Sequence, residues 1–267
     1  HVGPNSVTLT VTDVNGKSGT CTATITVQDN INPTASCQNL TVQLDASGAA
    51  IITPAQVDNG SSDNCGNVSL SLDNSSFGCS DVGANTVVLT VTDDNGNSTT
   101  CTATITVEDN VSPTASCQDL TVQLDASGAG SITAAQVNNG SFDACGIASM
   151  TLSKTDFDCT DIGANSVTLT VTDNNGNVST CSATITVEDN MSPTALCQDL
   201  TVQLDASGQA SITAEQVNNS SSDNCNMTMS LSQTDFTCAD VGTNTVTLTV
   251  TDDGGNMSTC TATITVQ

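Results

Sequence analysis

The chain copies itself with a period of 80 residues. The string PTASCQNLTVQLDASG begins at Pro33, returns with one change at Pro113, and returns again with two changes at Pro193. The second half of the unit is as faithful: GANTVVLTVTDDNGNSTTCTATITVEDN from Gly83 becomes GANSVTLTVTDNNGNVSTCSATITVEDN from Gly163. A fixed period of this size means a tandem array of one small module, so the 267 residues do not share a single core. The expected modules are residues 31–110, 111–190 and 191–267, with 1–30 matching only the tail of a module. His1 falls where Asp81 and Asp161 fall later, so the chain opens in mid-module. Two explanations compete: a window cut from a longer array, or an orphan tail that completes a module on another subunit. The third module has no gap to fill, which favours the window.

A module of this size is marginal on core burial alone. There is no Trp or Tyr and only four Phe, so something besides large side chains has to stabilise it. The cysteines are the candidates. There are 13, and they keep the repeat: Cys37, Cys65, Cys79, Cys101; Cys117, Cys145, Cys159, Cys181; Cys197, Cys225, Cys238, Cys260. Cys21 takes the fourth position in the leading fragment. Zinc wants close ligand pairs, and spacings of 28, 14 and 22 do not supply them. Disulfides are therefore expected, and with them an oxidising compartment, extracellular or at the cell surface. Four cysteines allow three pairings. First-to-fourth with second-to-third is preferred, because the isolated tail then lacks only one partner: Cys37–Cys101 with Cys65–Cys79, Cys117–Cys181 with Cys145–Cys159, and Cys197–Cys260 with Cys225–Cys238. On loop-closure entropy the outer bridge is worth roughly 4 kcal/mol and the inner roughly 3.

The formal charge is −26, with Lys17 and Lys154 the only bases. Repulsion from phosphate excludes nucleic acid as a partner, and no apolar run is long enough for membrane insertion. An acidic surface suits cations and solubility. The only histidine is His1, and paired carboxylates recur in turns of every module, so an enzyme is not expected.

The clearest elements are paired strands. Val87, Leu89 and Val91 alternate with Val88, Thr90 and Thr92; Cys101, Ala103, Ile105 and Val107 alternate with Thr102, Thr104 and Thr106. Both read as strands with an apolar face inward and a Thr face outward. Asp93-Asp94-Asn95-Gly96-Asn97 between them reads as a hairpin turn. A second hairpin is expected around Asp45-Ala46-Ser47-Gly48, and a strand at VSLSL from Val68. Phe77, Phe157 and Phe236 read as one aromatic core plug per module. A short helix start near Ser131 has nothing to sustain it. Seven or so short strands per module predict an all-β chain of tandem immunoglobulin-like sandwiches in a linear array.

A cysteine after Pro-Thr, then S-D-N-C-G, F-x-C and G-x-N-x-V-x-L-T-V-T-D-x-x-G-N-x-x-x-C, resembles the hyalin-repeat class of immunoglobulin-like modules. The resemblance spans the fragment and all three modules. It implies an extracellular sandwich found in tandem in bacterial surface and adhesion proteins, with no common catalytic activity. The junction V-E-D-N-V-S-P-T from Val107 also resembles, over a short stretch, the calcium-binding linkers of cadherins.

On an immunoglobulin-like scheme, the linker, the second-to-third-strand loop and the last hairpin turn meet at one pole. That gathers Asp29, Asn30, Asp63, Asn64, Asp93, Asp94 and Asn97 at the first junction. The second would hold Glu108, Asp109, Asp143, Asp173 and Asn177, and the third Glu188, Asp189, Asp223, Asp252 and Asn256. Hard oxygen donors in such numbers suit calcium; the competing reading is that Asp and Asn simply form turns. Asn-x-Ser/Thr triplets and exposed Thr rows make covalent glycans a candidate modification. The expected function is a structural segment of an extracellular fibre or stalk that assembles with itself head to tail. The alternative is an adhesin whose ligand-binding module lies outside this sequence.

Overall fold

A computed structural model describes His1–Gln267 throughout. The leading residues form β1 (Gly3–Thr12) and β2 (Ser18–Val27). The first full repeat runs β3 (Leu40–Gln43), β4 (Ala49–Ile51), α1 (Pro54–Val57), β5 (Val68–Leu72), β6 (Ser76–Gly78), β7 (Gly83–Asp93) and β8 (Ser98–Glu108). The second gives β9 (Leu120–Gln123), β10 (Ala129–Ser131), α2 (Ala134–Val137), β11 (Ile147–Leu152), β12 (Asp156–Asp158), β13 (Gly163–Asp173) and β14 (Val178–Glu188). The third gives β15 (Leu200–Val202), β16 (Gln209–Ser211), α3 (Ala214–Val217), β17 (Met227–Leu231), β18 (Asp235–Thr237), β19 (Gly242–Asp252) and β20 (Met257–Val266). Two compact units divide the chain, His1–Val111 and Ser112–Gln267.

Every full repeat builds the same all-β sandwich. A four-stranded sheet of order β3-β8-β7-β5 faces a two-stranded ladder, β4-β6, and the order recurs as β9-β14-β13-β11 with β10-β12, and as β15-β20-β19-β17 with β16-β18. The long hairpin is the spine. In β7–β8, Leu89 faces Cys101 and Val87 faces Ala103, so one side of both strands turns inward together. Val87, Leu89, Val91, Ile105 and Val107 are buried, while Thr102 and Thr104 stay exposed. Each such aliphatic side chain contributes roughly 1.5–3 kcal/mol by leaving water. Phe77, Phe157 and Phe236 sit on the short ladders and are buried, one in each core. The hairpin β1–β2 has the same register but no covering sheet, and Val7, Leu9, Val11 and Ile25 are exposed on it.

Three local expectations are corrected. The Asp45–Gly48 turn forms, but it does not close a hairpin: β3 runs parallel to β8 while β4 crosses to pair with β6. The reason is that β3 is buried only as an edge to the spine, and the Asn39 Oδ1 accepts from Thr104 N at 2.8 Å to set that parallel register. A helical turn does form at α1, α2 and α3, held by the Thr53–Gln56 pair and its equivalents, with Val57, Val137 and Val217 buried beneath. Strands per repeat number six, not seven.

Candidate junction site

Ten of the 13 cysteines are in disulfides. Cys37–Cys101, Cys117–Cys181 and Cys197–Cys260 join the first and fourth positions of each repeat, with Cα–Cα distances of 5.9, 5.8 and 5.8 Å. The expected second-to-third bridges do not form. Cys159 bonds Cys225, across the boundary between the second and third repeats, at a Cα–Cα distance of 5.6 Å. That excludes both Cys145–Cys159 and Cys225–Cys238. Cys79 and Cys145 are disulfide-bonded, whereas Cys65 is free, which excludes Cys65–Cys79; Cys21 and Cys238 are free too.

The physical reason is strand length. Cys145 lies beside the turn that ends β13, since Asn174 Nδ2 donates to its carbonyl at 2.7 Å. Cys159 lies at the turn that precedes the start of β13. Eleven residues of extended strand separate the two poles, roughly 33 Å at about 3.3 Å per residue. A disulfide tolerates Cα atoms no more than about 7 Å apart. Cys145 and Cys159 of the second repeat therefore lie at opposite ends of β13, too far apart to bond each other. Disulfides on this scale mark an oxidising compartment, and the chain is an extracellular or cell-surface protein.

The same pole gathers carboxylates. Oxygens of Asp189 from the linker, Asp223 from the loop before Cys225, and Asp252 from the end of β19 lie within 4.8 Å of one another. Asp29, Asp63 and Asp93 form the same cluster before the first repeat. Asp189 and Asp252 are 3% and 6% exposed, which is rare for carboxylates without a compensating charge. The scaffold is made of amides. Asn256 Nδ2 donates to the Asp189 carbonyl at 2.8 Å and to Asp252 Oδ2 at 2.9 Å; Met191 N donates to Asp189 Oδ1 at 3.1 Å; Cys225 N donates to Asp223 Oδ2 at 2.9 Å. Asp189 Oδ2, Asn224 Oδ1 and Asp63 Oδ1 are buried without a hydrogen-bond partner. Orphaned oxygens beside two further carboxylates are the donor set that a hard cation requires.

Not every expected ligand joins these clusters. Glu108 Oε2 accepts from Gln43 at 2.7 Å and Glu188 Oε2 from Gln123 at 2.6 Å, both along the β3–β8 and β9–β14 edges. Asp94 Oδ2 accepts from Asn67 N at 3.0 Å. Asn97, Asn177 and Asn256 each turn Nδ2 toward the carboxylate of their own hairpin turn, at 2.7, 2.8 and 2.9 Å, so they fasten Asp93, Asp173 and Asp252. Burial pushes the Asp93 and Asp173 carboxyls up, but the hydrogen bonds from Asn97 and Asn177 outweigh it and hold both below the usual range. Asn30 and Asn64 are exposed. Asp109 closes the first unit, its Oδ1 accepting from Val111 N at 3.1 Å, while Asp143 and Asp173 are buried in the second.

Asn224 is the ligand-loop residue that sequence reasoning passed over. Its Nδ2 donates to the Asp125 carbonyl of the preceding repeat at 3.1 Å and to Asp189 Oδ1 at 3.3 Å. Its own carbonyl packs on Gly128. The recurring S-D-N-C string therefore carries three tasks in consecutive residues: carboxylate, contact to the previous repeat, and staple.

No protein-family model matches the chain, and no curated protein matches it. Among solved structures, extracellular cadherin domains 1–4 of protocadherin gamma B7 match with 15% identity and a TM-score of 0.35, over 98% of this chain and 83% of that one. Mouse cadherin-23 EC22-24 matches with 14% identity and a TM-score of 0.35, over 88% and 99%. A three-domain immunoglobulin fragment of titin matches with 10% identity and a TM-score of 0.34, over 89% and 99%.

Proposed function

We propose that this chain is a structural repeat segment of an extracellular fibre or stalk, stiffened at its repeat junctions by disulfides and by calcium. Residues 31–110, 111–190 and 191–267 act as its modules. The observation that carries the reading is the Cys159–Cys225 bond, which spends a covalent link on fixing one repeat against the next. A short linker, Asp189 to Pro193, already restricts that hinge, and the staple removes most of what remains. Such a device serves length and stiffness. The hyalin-repeat resemblance points to a bacterial surface protein, and the exposed Thr faces and Asn-x-Ser/Thr triplets are places for glycans. Self-association head to tail follows from the recurring surfaces.

Calcium fits the Asp189, Asp223 and Asp252 cluster by chemistry: three carboxylates and an orphaned Oδ2 on a buried Asp189. Three like charges held that close repel one another unless a cation intervenes. A bound ion stabilises the folded junction by mass action, about 2.7 kcal/mol at a hundredfold excess over Kd. Titrating Ca²⁺ into chelated protein is expected to raise the melting temperature. Asp189→Asn is expected to be tolerated in chelator and to lose part of that rise. An unchanged melting temperature at millimolar Ca²⁺ leaves the clusters as turn chemistry alone and removes calcium from the proposal.

A further inference from the structure

The staple and the carboxylate cluster share one loop. Asp223, Asn224 and Cys225 are consecutive, and each is tied to a different part of the junction. An oxygen of Asp223 lies within 4.8 Å of oxygens of Asp189 and Asp252. Asn224 reaches back through Nδ2 to the Asp125 carbonyl of the second repeat at 3.1 Å, and to Asp189 Oδ1 at 3.3 Å. Cys225 is bonded to Cys159. That bond also clasps the residue between, because Cys159 Sγ lies 3.6 Å from the Asn224 carbonyl and 3.8 Å from that of Gly128. The Asp223 carboxylate hangs on the bonded cysteine itself, its Oδ2 accepting from Cys225 N at 2.9 Å.

The other two carboxylates are fastened without the staple. Asp189 beds on the bare backbone of Gly254, where an added Cβ would come within 2.5 Å of the Asp189 carbonyl and 3.1 Å of its Cβ. Asn256 Nδ2 donates to that carbonyl at 2.8 Å and to Asp252 Oδ2 at 2.9 Å, and Asn256 N donates to Asp252 Oδ1 at 2.7 Å. The loop itself is anchored on either side, by the Thr194–Ser222 bridge and by Asp253 N donating to the Asn226 carbonyl at 3.1 Å. Between those anchors, the side chains of Asn224 and Cys225 hold on to the second repeat. Two oxygens here are buried without a hydrogen-bond partner: Asp189 Oδ2 on the fixed side and Asn224 Oδ1 on the tethered side. Orphaned acceptors on both sides call for one ligand that meets them together.

We infer, given calcium at this junction as the proposed function has it, that the Cys159–Cys225 bond regulates cation binding at the Asp189, Asp223 and Asp252 cluster. Joined, the bond holds Asp223 and Asn224 beside the two fixed carboxylates; opened, it frees them and weakens the site. Opening takes up two electrons and two protons from a small dithiol, which leaves as its cyclic disulfide, and gives two cysteine thiols. A freed loop has to be ordered again by the cation, so conformational entropy opposes binding. Linkage makes the effect reciprocal: whatever factor the bond adds to cation affinity, the cation adds to the preference for the bond. Asn224 is the positioning residue between them, since its amide touches the second repeat and the linker while its Oδ1 is one of the orphaned acceptors. The junction then stiffens in one step, when an oxidising environment and calcium are both present.

The decisive readout is the bond, followed with and without the ion. The unsubstituted chain is equilibrated with reduced and oxidised dithiothreitol over a range of ratios, in chelator or in millimolar Ca²⁺, then alkylated and mapped by mass. In Ca²⁺ the ratio that half-opens Cys159–Cys225 is expected to rise about tenfold or more, while that for Cys197–Cys260, within the third repeat, moves less. An equal shift at both bonds would be general stabilisation and would overturn the inference. No shift at Cys159–Cys225, with calorimetry showing Ca²⁺ binding to the oxidised chain, would overturn it too and leave the calcium reading standing. No Ca²⁺ binding to the oxidised chain at all would remove the calcium reading, and the regulation with it. Asp223→Asn should keep the bond and abolish the shift; where that variant does not fold, the shift in the unsubstituted chain decides.

Discussion

Gly128 is crowded at the junction, because two neighbours sit where its side chain would be. A Cβ there would lie 2.7 Å from Cys159 Sγ and 2.8 Å from the Asn224 carbonyl. Gly140 has a similar positive φ, +78°, but nothing within 4 Å of its missing Cβ. Both substitutions to Ala cost about 1–2 kcal/mol of left-handed strain, yet only Gly128→Ala is expected to disturb the staple. Chemical denaturation with thiol counting checks this: new reactive thiols are expected with Gly128→Ala and none with Gly140→Ala. The turn before each such glycine also sets an acid limit. The Ser127 hydroxyl, at 2.6 Å, together with Ser127 N and Ala129 N, holds the Asp125 carboxyl below its ordinary value of 3.8, and Asp45 and Asp205 are held down the same way. A depressed folded value stabilises fully above the unfolded one and is lost as pH falls through it. The melting temperature is therefore expected to hold steady down to about pH 5 and to fall below pH 4; a rise on acidification to pH 3 would contradict the sign.

Among the elements, the long hairpins were the most legible. Alternation of Val87, Leu89 and Val91 against Thr, with Asn-Gly between the strands, specifies both strands, the turn and the buried face without help from the rest of the chain. The Phe plugs were legible for the same reason: one large apolar residue in a module poor in them has only the core to occupy. Leu169 on β13 is fully buried, and Leu169→Ala is expected to destabilise the second unit by about 2–5 kcal/mol; the exposed Thr184→Ala should change it little, as thermal melts would show. The parallel pairing of β3 with β8 was not legible, because four residues of LTVQ carry no signal for their partner and the nearby turn suggests a hairpin. The inner cysteines misled for a related reason. A spacing of 14 looks like a local loop, but β5 and β6 lie between Cys65 and Cys79 and carry the chain along the sandwich from one end toward the other. The division of labour within the acidic turns, carboxylates toward the cluster and amides fastening them, needed the hydrogen bonds.

At the scale of the whole molecule, stability and function draw on the same links. A repeat with one aromatic plug and a thin two-layer core leans on its first-to-fourth disulfide for folding. Cys159 of the second repeat and Cys225 of the third are left to bond each other. Each repeat holds itself together with one first-to-fourth bond, and Cys159–Cys225 joins the second repeat to the third. The acidic surface keeps such an array soluble, and the buried carboxylates at the junctions are where calcium would add to the staple. The most direct test is a non-reducing peptide map of the purified chain, cut with proteases specific for acidic residues because only two lysines are present. The expected result is a fragment in which the Cys159 peptide is linked to the Cys225 peptide, joining two repeats. Cys159 linked instead to Cys145, or Cys225 to Cys238, would confine every bond within one repeat and contradict it.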